Sequence, residues 1–520
     1  MRFPSVFATT ATFFFVLCSC GDPAVVPKHV SGFEALSGPY LGQRPPGEKP
    51  QIFLPGLISS YSSETYIVFL NDARACVYST ITAEGQKTFY TYEEEGSWTA
   101  PRSAPFEELQ GHPNYTTGPE GRRVYFHSGR PTDTNDRTQD DNVWAIEWTG
   151  NDWAEPYALP SPPNSDYGEA YPTISVRGTV YFFSWKRSDT RAYDIYRSRL
   201  VDGQYQESER LGWPINTDYI EFDPYVAPDE SYLVFGSGRP GGYGESDNYI
   251  CFRRDDGSWT HPANLGPDVN SASGDLCANG TADGKYFFFA SGRNTEVPKG
   301  QRTGSSDADY DLYWVDTSSF AKLEKKMMTA ESAAEAIKKE YQKSGLRAAI
   351  DTLERLYSDE QDRYYFSSYE LLSLCESMLS SGEVSDAEQF QRAIADTLPS
   401  ELRIKEGFAQ ICMLNDQLSK SMEILRELDV EDPSFDLERT LPTFGYLLTQ
   451  YPEKADDALK WLHLTVEEFP DSSFAYFSLA KLYRDRGDVE LAIKHCKKCL
   501  ELKPNDGDAA SLLNRLEQQR

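Results

Sequence analysis

The chain has 520 residues, 39% apolar and 25% charged. These are the proportions of a soluble globular protein with room for two or three domains, and they exclude disorder and collagen-like repetition. Lysine and arginine number 51 against 81 aspartate and glutamate, a net charge of −30, and no stretch is basic enough to track phosphates, so nucleic acid is not an expected partner.

From the N-terminus, Arg2 and the apolar run Val6–Leu17 read as a signal peptide, too short for an ordinary spanning helix. The following Leu17-Cys18-Ser19-Cys20 resembles a bacterial lipobox, with small Ser19 before the cleaved bond and Cys20 as the lipid-attachment residue. Cys18 fits worse, because Leu17 would then take the small position. Ordinary signal-peptidase cleavage nearby is the alternative, and either route exports the protein. Gly21, where aspartate would signal inner-membrane retention, points to an outer-membrane lipoprotein facing periplasm or surface. The other cysteines, Cys76, Cys251, Cys277, Cys375, Cys412, Cys496 and Cys499, are odd in number and irregular in spacing, so no disulfide framework is expected.

Residues 1–320 hold 30 of the 36 glycines, 25 of the 31 prolines and 8 of the 9 tryptophans. Turn formers and aromatics at that density suit short strands. A unit of about 54 residues repeats there. Its strand end F-x-S-x-R falls at Ser128, Ser184, Ser237 and Ser291, its Gly-x-Trp/Tyr turn at Trp98, Trp153, Tyr205 and Trp259, and a turn asparagine at Asn164, Asn216 and Asn270. Each unit offers an aromatic strand, a Gly/Asp loop, a second strand and a hairpin, a small antiparallel sheet that cannot bury both faces alone. Radial stacking solves this, so a β-propeller is expected, with five blades favoured and six if residues 30–60 form more than a strand. The last blade lacks its hairpin after Tyr313-Trp314-Val315-Asp316, and residues near Phe53–Ser60 are expected to supply its outer strand.

The run E-x-x-P-x-x-x-P-D-E-x-Y-L-x-F-x-S-x-R, followed by D-x-Y and D-G-S-W-x-x-P-x-N-L-G, is similar to the WD40-like, TolB-type propeller repeats of bacterial envelope proteins. The resemblance spans about 56–316 and implies a fold rather than an activity. Val176-Arg177-Gly178 departs from it in the third blade, and Asn142 stands where later blades have Asp194, Asp247 and Asp311.

After Phe320 the spacing becomes helical. Leu479, Ala480, Tyr483, Gly487, Ala492, Ile493, Leu500 and Pro504 match the tetratricopeptide skeleton over Ser473–Asp506, and a step of 34 residues back places Tyr446, Ala458 and Pro470 in register. Leu346–Tyr357, Ser367–Ser381, Ser385–Ala395 and Leu402–Leu414 read as further helices, giving three to five hairpins of a short all-α solenoid. The resemblance implies a concave face that binds peptides or other domains. The expected order is therefore signal peptide 1–19, anchor segment and ring-closing strand 20–55, all-β propeller 56–320, connector 321–342 and tetratricopeptide-like repeats 343–520.

No catalytic set converges in the sequence. Cys496-x-x-Cys499 falls at packing positions of the repeat, and Asp133/Asp136/Asp140/Asp141 and Asp307/Asp309/Asp311 lack a calcium-loop pattern, so no metal or cofactor is expected. Cys251 and Cys277 read either as a pair or as two buried thiols. His112, His127 and His261 lie at non-equivalent positions. Arg130, Arg187, Arg239 and Arg293 follow the strand ends and are the candidate rim-binding residues; their structural alternative is an ion pair with the neighbouring blade's aspartate. The function expected from this pattern is a non-enzymatic, lipid-anchored envelope scaffold that binds other envelope proteins or peptides. The alternative is an enzyme or glycan-binding protein using the propeller's central funnel.

Overall fold

The computed structural model describes residues 32–518 apart from 60–62, 83–84, 106–113, 133–139, 186–192, 218, 245, 294–309, 361–362, 399–403, 432–434, 436, 450–453 and 505. Cys20, Arg187, His112, Asp133, Asp136, Asp307 and Asp309 lie outside the described residues.

Five antiparallel sheets form the propeller. Their innermost strands are Ser63–Leu70, Tyr115–Thr117, Gly168–Ile174, Glu221–Val226 and Asp275–Gly280, in blades 1 to 5. The second strands end at the repeated serines, such as Tyr232–Ser237 and Tyr286–Ser291, and the third strands include Asn142–Glu147, Asp194–Ser198, Asp247–Phe252 and Asp311–Asp316. The six-bladed option falls away because residues 51–52 form one short strand that completes blade 5, with Gln51 opposite Trp314 and Ile52 opposite Tyr313. This closing strand lies two residues before the expected Phe53–Ser60. Phe53 still donates its N–H to the Leu312 carbonyl at 2.8 Å, but Leu54 adopts φ 42° and leaves the ladder. Phe53 then buries its ring against Phe69, Phe288 and Trp314. Joining the two ends of the ring within one sheet removes the free edges that a strand would otherwise expose.

The repeated asparagines are structural. Asn216 accepts from the Ile195 N–H at 2.8 Å and donates to the Ile195 and Leu211 carbonyls at 2.8 and 2.7 Å. Asn164 and Asn270 embrace Val143 and Asn248 of their own third strands in the same way. Each side chain mimics one residue of an added strand and satisfies backbone groups that burial would leave without water.

After the ring come twelve helices among the described residues: α1 Ala321–Thr329, α2 Ala333–Ser344, α3 Leu346–Asp359, α4 Ser368–Ser380, α5 Val384–Thr397, α6 Ile404–Leu414, α7 Leu418–Glu431, α8 Leu437–Thr449, α9 Ala455–Glu468, α10 Ser473–Asp485, α11 Val489–Leu502 and α12 Gly507–Gln518. Helices α2 to α11 pair as five hairpins, the upper end of the expected range, and α12 covers α11. The span 321–342, expected as a connector, is α1 and most of α2. The Ser332 hydroxyl caps α2 by accepting from the Glu335 N–H, and Ala333, Ala334 and Ile337 are buried, so this segment carries its own apolar face. Ala480 and Ala492 are fully buried where α10 meets α11, and Gly487, at φ 80°, supplies the left-handed residue between them.

Candidate binding surfaces

In blade 4, Glu221 begins the innermost strand and its side chain gathers donors. It accepts from the Thr217 N–H and hydroxyl, both at 2.7 Å, and from the Ser237 hydroxyl at 2.8 Å. Arg239 completes the set. Its Nε donates to Ser237 Oγ at 2.9 Å, and one terminal nitrogen reaches the Ile215 carbonyl at 2.8 Å and Glu221 at 3.3 Å. Blade 5 repeats this with Asp275, Ser291 and Arg293, the ion pair there spanning 3.6 Å. Each arginine therefore pairs with the acid of its own blade rather than with a neighbour's.

The rim arginines differ in access. Arg239 is 6% exposed, held among the rings of Phe235, Tyr249 and Tyr369 at 5.3, 4.8 and 5.2 Å. Tyr369 belongs to α4, so the helical repeats cover this arginine and remove it from the open rim. Arg293 keeps 22% of its side chain exposed, packed on Phe289 and Tyr313. Arg130 is partly buried over Trp144, at 5.4 Å.

The cover over blade 4 is a seam between the two domains. Ser368 donates to the Gly241 carbonyl at 2.5 Å, and Gln410 of α6 donates to the Gly238 carbonyl at 3.3 Å. Gly241 has φ 86°, and a Cβ there would stand 2.7 Å from the Ser368 Cβ, so glycine admits the close approach. Beside it, Glu370 is bonded to His261 Nδ1 at 2.6 Å and accepts from the Ser332 hydroxyl at 2.7 Å and the Tyr365 hydroxyl at 3.1 Å. Trp213, 58% exposed, lies against His261 and Tyr369 at the edge of the seam. In the helical domain, a cleft of about 200 Å³ between α2 and α4 is lined by Lys338, Tyr341, Ser377, Met378 and Glu383.

At the ring's axis, polar side chains from all five blades form a chain of contacts. The innermost strands of blades 3, 4 and 5 each carry a bulge whose residue has positive φ: Tyr171 at 56°, Asp223 at 48° and Cys277 at 62°. Tyr66 of blade 1 meets Tyr171 with ring centroids 6.1 Å apart. Blades 1 and 3 are not neighbours, so that contact crosses the axis. His127 of blade 2 stacks on Tyr171 at 5.3 Å, and Asp223 accepts from the Cys277 N–H at 2.8 Å. Two residues deeper, Asn279 donates to the Ile67 and Tyr115 carbonyls of blades 1 and 2, at 3.0 and 3.2 Å, and closes the axis. Burial pushes the Asp223 carboxyl up to about 8 and holds the Tyr66 phenol well above its usual range. Sequence reasoning missed Asp223, Tyr66 and Tyr171; the run Glu221-Phe222-Asp223-Pro224 was legible as a repeat element, but not its bulge.

The seven described cysteines are buried and none forms a disulfide, Cys251, Cys277, Cys496 and Cys499 included. Asp311 lies on a strand of blade 5, and Asp141, beside Asp140, is raised to about 6 by burial and that neighbour. Among the described residues no three His, Cys, Asp or Glu side chains gather as metal donors.

A tetratricopeptide-repeat family model matches residues 473–506, and no curated protein matches the chain. Among solved structures, an α-L-arabinofuranosidase from Lactobacillus brevis is 11% identical, with 48% of this chain and 90% of that one covered and a TM-score of 0.32. The structure "MamA AMB-1" is 17% identical, covering 33% and 90%, at 0.17. Hydrazine synthase of Kuenenia stuttgartiensis is 11% identical, covering 43% and 67%, at 0.26. At these identities and scores they carry nothing about what this chain binds. The chain is thus a five-bladed propeller followed by helices of tetratricopeptide type, two folds suited to a protein-interaction scaffold.

Proposed function

We propose that this is a non-enzymatic, lipid-anchored cell-envelope protein of the bacterial outer membrane that presents the propeller and the helical repeats together as binding platforms for other envelope proteins or peptides. The seam over blade 4 carries this reading. It uses α4 and α6 and buries Arg239, while the cleft between α2 and α4 and the partly exposed Arg293 remain outside it. The lipobox-like Leu17–Cys20 supports the anchor. With lipid on Cys20, the thirteen residues to Phe33, where the described chain first packs, would hold the ring within roughly 45 Å of the bilayer.

The test is photocrosslinking in intact membranes from positions flanking the cleft, such as Lys338 and Ser377. Specific adducts to other envelope proteins or peptides are expected from both positions; none from either would overturn the scaffold reading. Cys20→Ser should release the protein from membranes, and unchanged partitioning contradicts the anchor. A second reading, ligand binding or catalysis at the funnel, is favoured by one observation: the axis is lined by polar groups from all five blades rather than filled by apolar ones.

A further inference from the structure

We infer that the axial cup formed by Tyr66, Tyr171, Asp223 and Cys277 is a binding site for a protonated primary amine, with Asp223 as its counter-ion. This is independent of the scaffold reading and of the anchor.

Among the described residues Asp223 lacks a counter-charge. Four other buried acids of the propeller have an arginine: Glu221 has Arg239 at 3.3 Å, Asp275 has Arg293 at 3.6 Å, Asp194 has Arg210 at 2.6 Å and Glu230 has Arg253 at 2.7 Å. Asp247 instead collects two backbone N–H groups and the Asn264 amide. Asp223, 4% exposed, has one donor, the Cys277 N–H, and no lysine or arginine pairs with it among the described residues. A buried carboxylate without a partner is costly enough that it stays protonated until a cation arrives.

The rest of the cup suits that cation. The Tyr66 hydroxyl is buried beside the Tyr171 hydroxyl and the Cys277 thiol without a hydrogen bond of ordinary geometry, so its oxygen can accept an N–H. The groups around Asp223 are Tyr66 from blade 1, Tyr171 from blade 3 with His127 of blade 2 stacked on it, and Cys277 from blade 5. The Tyr66 and Tyr171 rings offer faces that attract a cation. Tyr171 keeps part of its surface accessible, while Asn279 closes the far end. A ligand must therefore enter end-on from the side where the innermost strands begin, which a slim alkyl chain tipped by –NH₃⁺ can do. Glu221, two residues before Asp223, pairs with Ser237 at the loop that α4 contacts, so the mouth opens on the face that carries the helical repeats.

Two sources share this chemistry, a free alkylamine and a lysine side chain of a peptide. Binding forms the ammonium–carboxylate pair and expels the Asp223 proton to solvent; no covalent bond changes. The experiment is isothermal titration of the full chain with 1-aminopentane, and in a second arm with an unstructured Gly-Ser peptide carrying one central lysine, at pH 6, 7, 8 and 9 in two buffers of different ionisation heat. About one proton should be released per ligand at pH 6 and 7, and affinity should rise about tenfold between those two values and level off above pH 8. Asp223→Asn, a neutral isostere of the protonated carboxyl, should weaken binding at pH 8 by more than about thirtyfold, and Tyr66→Phe by roughly threefold to tenfold with the pH slope kept. Either arm showing this behaviour supports the site and names its source. Equal binding of 1-pentanol, binding indifferent to Asp223→Asn, no proton release, or no binding in either arm would overturn it. Should the asparagine variant not fold, the proton count and Tyr66→Phe still decide.

Discussion

Blades 4 and 5 carry the same acid, serine and arginine, yet only one of the two arginines is sealed from water. Arg293 stands over Phe289 and Tyr313 with solvent on its remaining side, whereas Arg239 has the same arrangement over Phe235 and Tyr249 plus Tyr369 as a third ring. The repeat thus sets the local geometry, and a residue 130 positions later in the chain sets the dielectric around it. A motif shared by two blades does not give them a shared energy.

The largest effect should come from breaking the more buried pair. Arg239→Ala leaves Glu221, fully buried, without its cation, and a cost of roughly 3–5 kcal/mol is expected. Burial already raises the Glu221 carboxyl above its usual range, with Arg239 opposing it. Arg293→Ala should cost about 1–2 kcal/mol, because water reaches that site and the pair is longer. Urea unfolding of both variants checks the contrast, and equal losses would mean that Tyr369 adds nothing.

Blades 3 and 4 differ in a similar way. At the D-x-Y position, Asp194 of blade 3 is gripped by two nitrogens of Arg210 at 2.8 and 2.6 Å, while Asp247 of blade 4 has only neutral donors, and burial pushes it up to about 7. Its folded value lies above the unfolded one, so the fold holds the proton more tightly. Stability should therefore be greatest below about pH 4 as far as this group is concerned, fall as pH rises toward 7 and level off beyond. The decline is worth roughly 2–4 kcal/mol. Asp247→Asn should flatten that part of the profile, read as urea midpoints from pH 4.5 to 8, and an unchanged slope would show that Asp247 is ionised throughout.

These contrasts mark what the sequence could reveal. Periodic glycine turns, tryptophan hairpins and turn asparagines report local pairing, and local pairing is what recurs from blade to blade; hence five sheets, ring closure by the N-terminal segment and the tetratricopeptide hairpin at Ser473–Asp506 were legible. The closing strand was placed two residues late because Phe53 reads as a strand residue, whereas its burial under Trp314 depends on partners far along the chain. The span 321–342 read as a connector because its lysines and glutamates mask the short apolar face that Ala333, Ala334 and Ile337 bury. Asp223 was invisible for another reason: a bulge that turns a strand residue onto the axis has no composition signal, and the absence of an arginine can be judged only in three dimensions.

The smallest expected effect tests whether the seam couples the domains or only places them together. Glu370 is 7% exposed and joins blade 4, through His261, to Ser332 at the cap of α2 and to Tyr365 just before α4. Glu370→Gln keeps the shape and one acceptor oxygen but removes the charge, so a loss of about 1–2 kcal/mol is expected. The distribution of that loss matters more than its size. With a coupling seam, amide exchange should quicken in the Gly238–Gly241 loop and in the first turns of α4 together, because each protects the other's backbone. The parent chain should then show one unfolding transition and the variant the beginning of two. Faster exchange on α4 alone would mean that the propeller is indifferent to its cover, and the burial of Arg239 would then be a consequence of docking rather than a support for it.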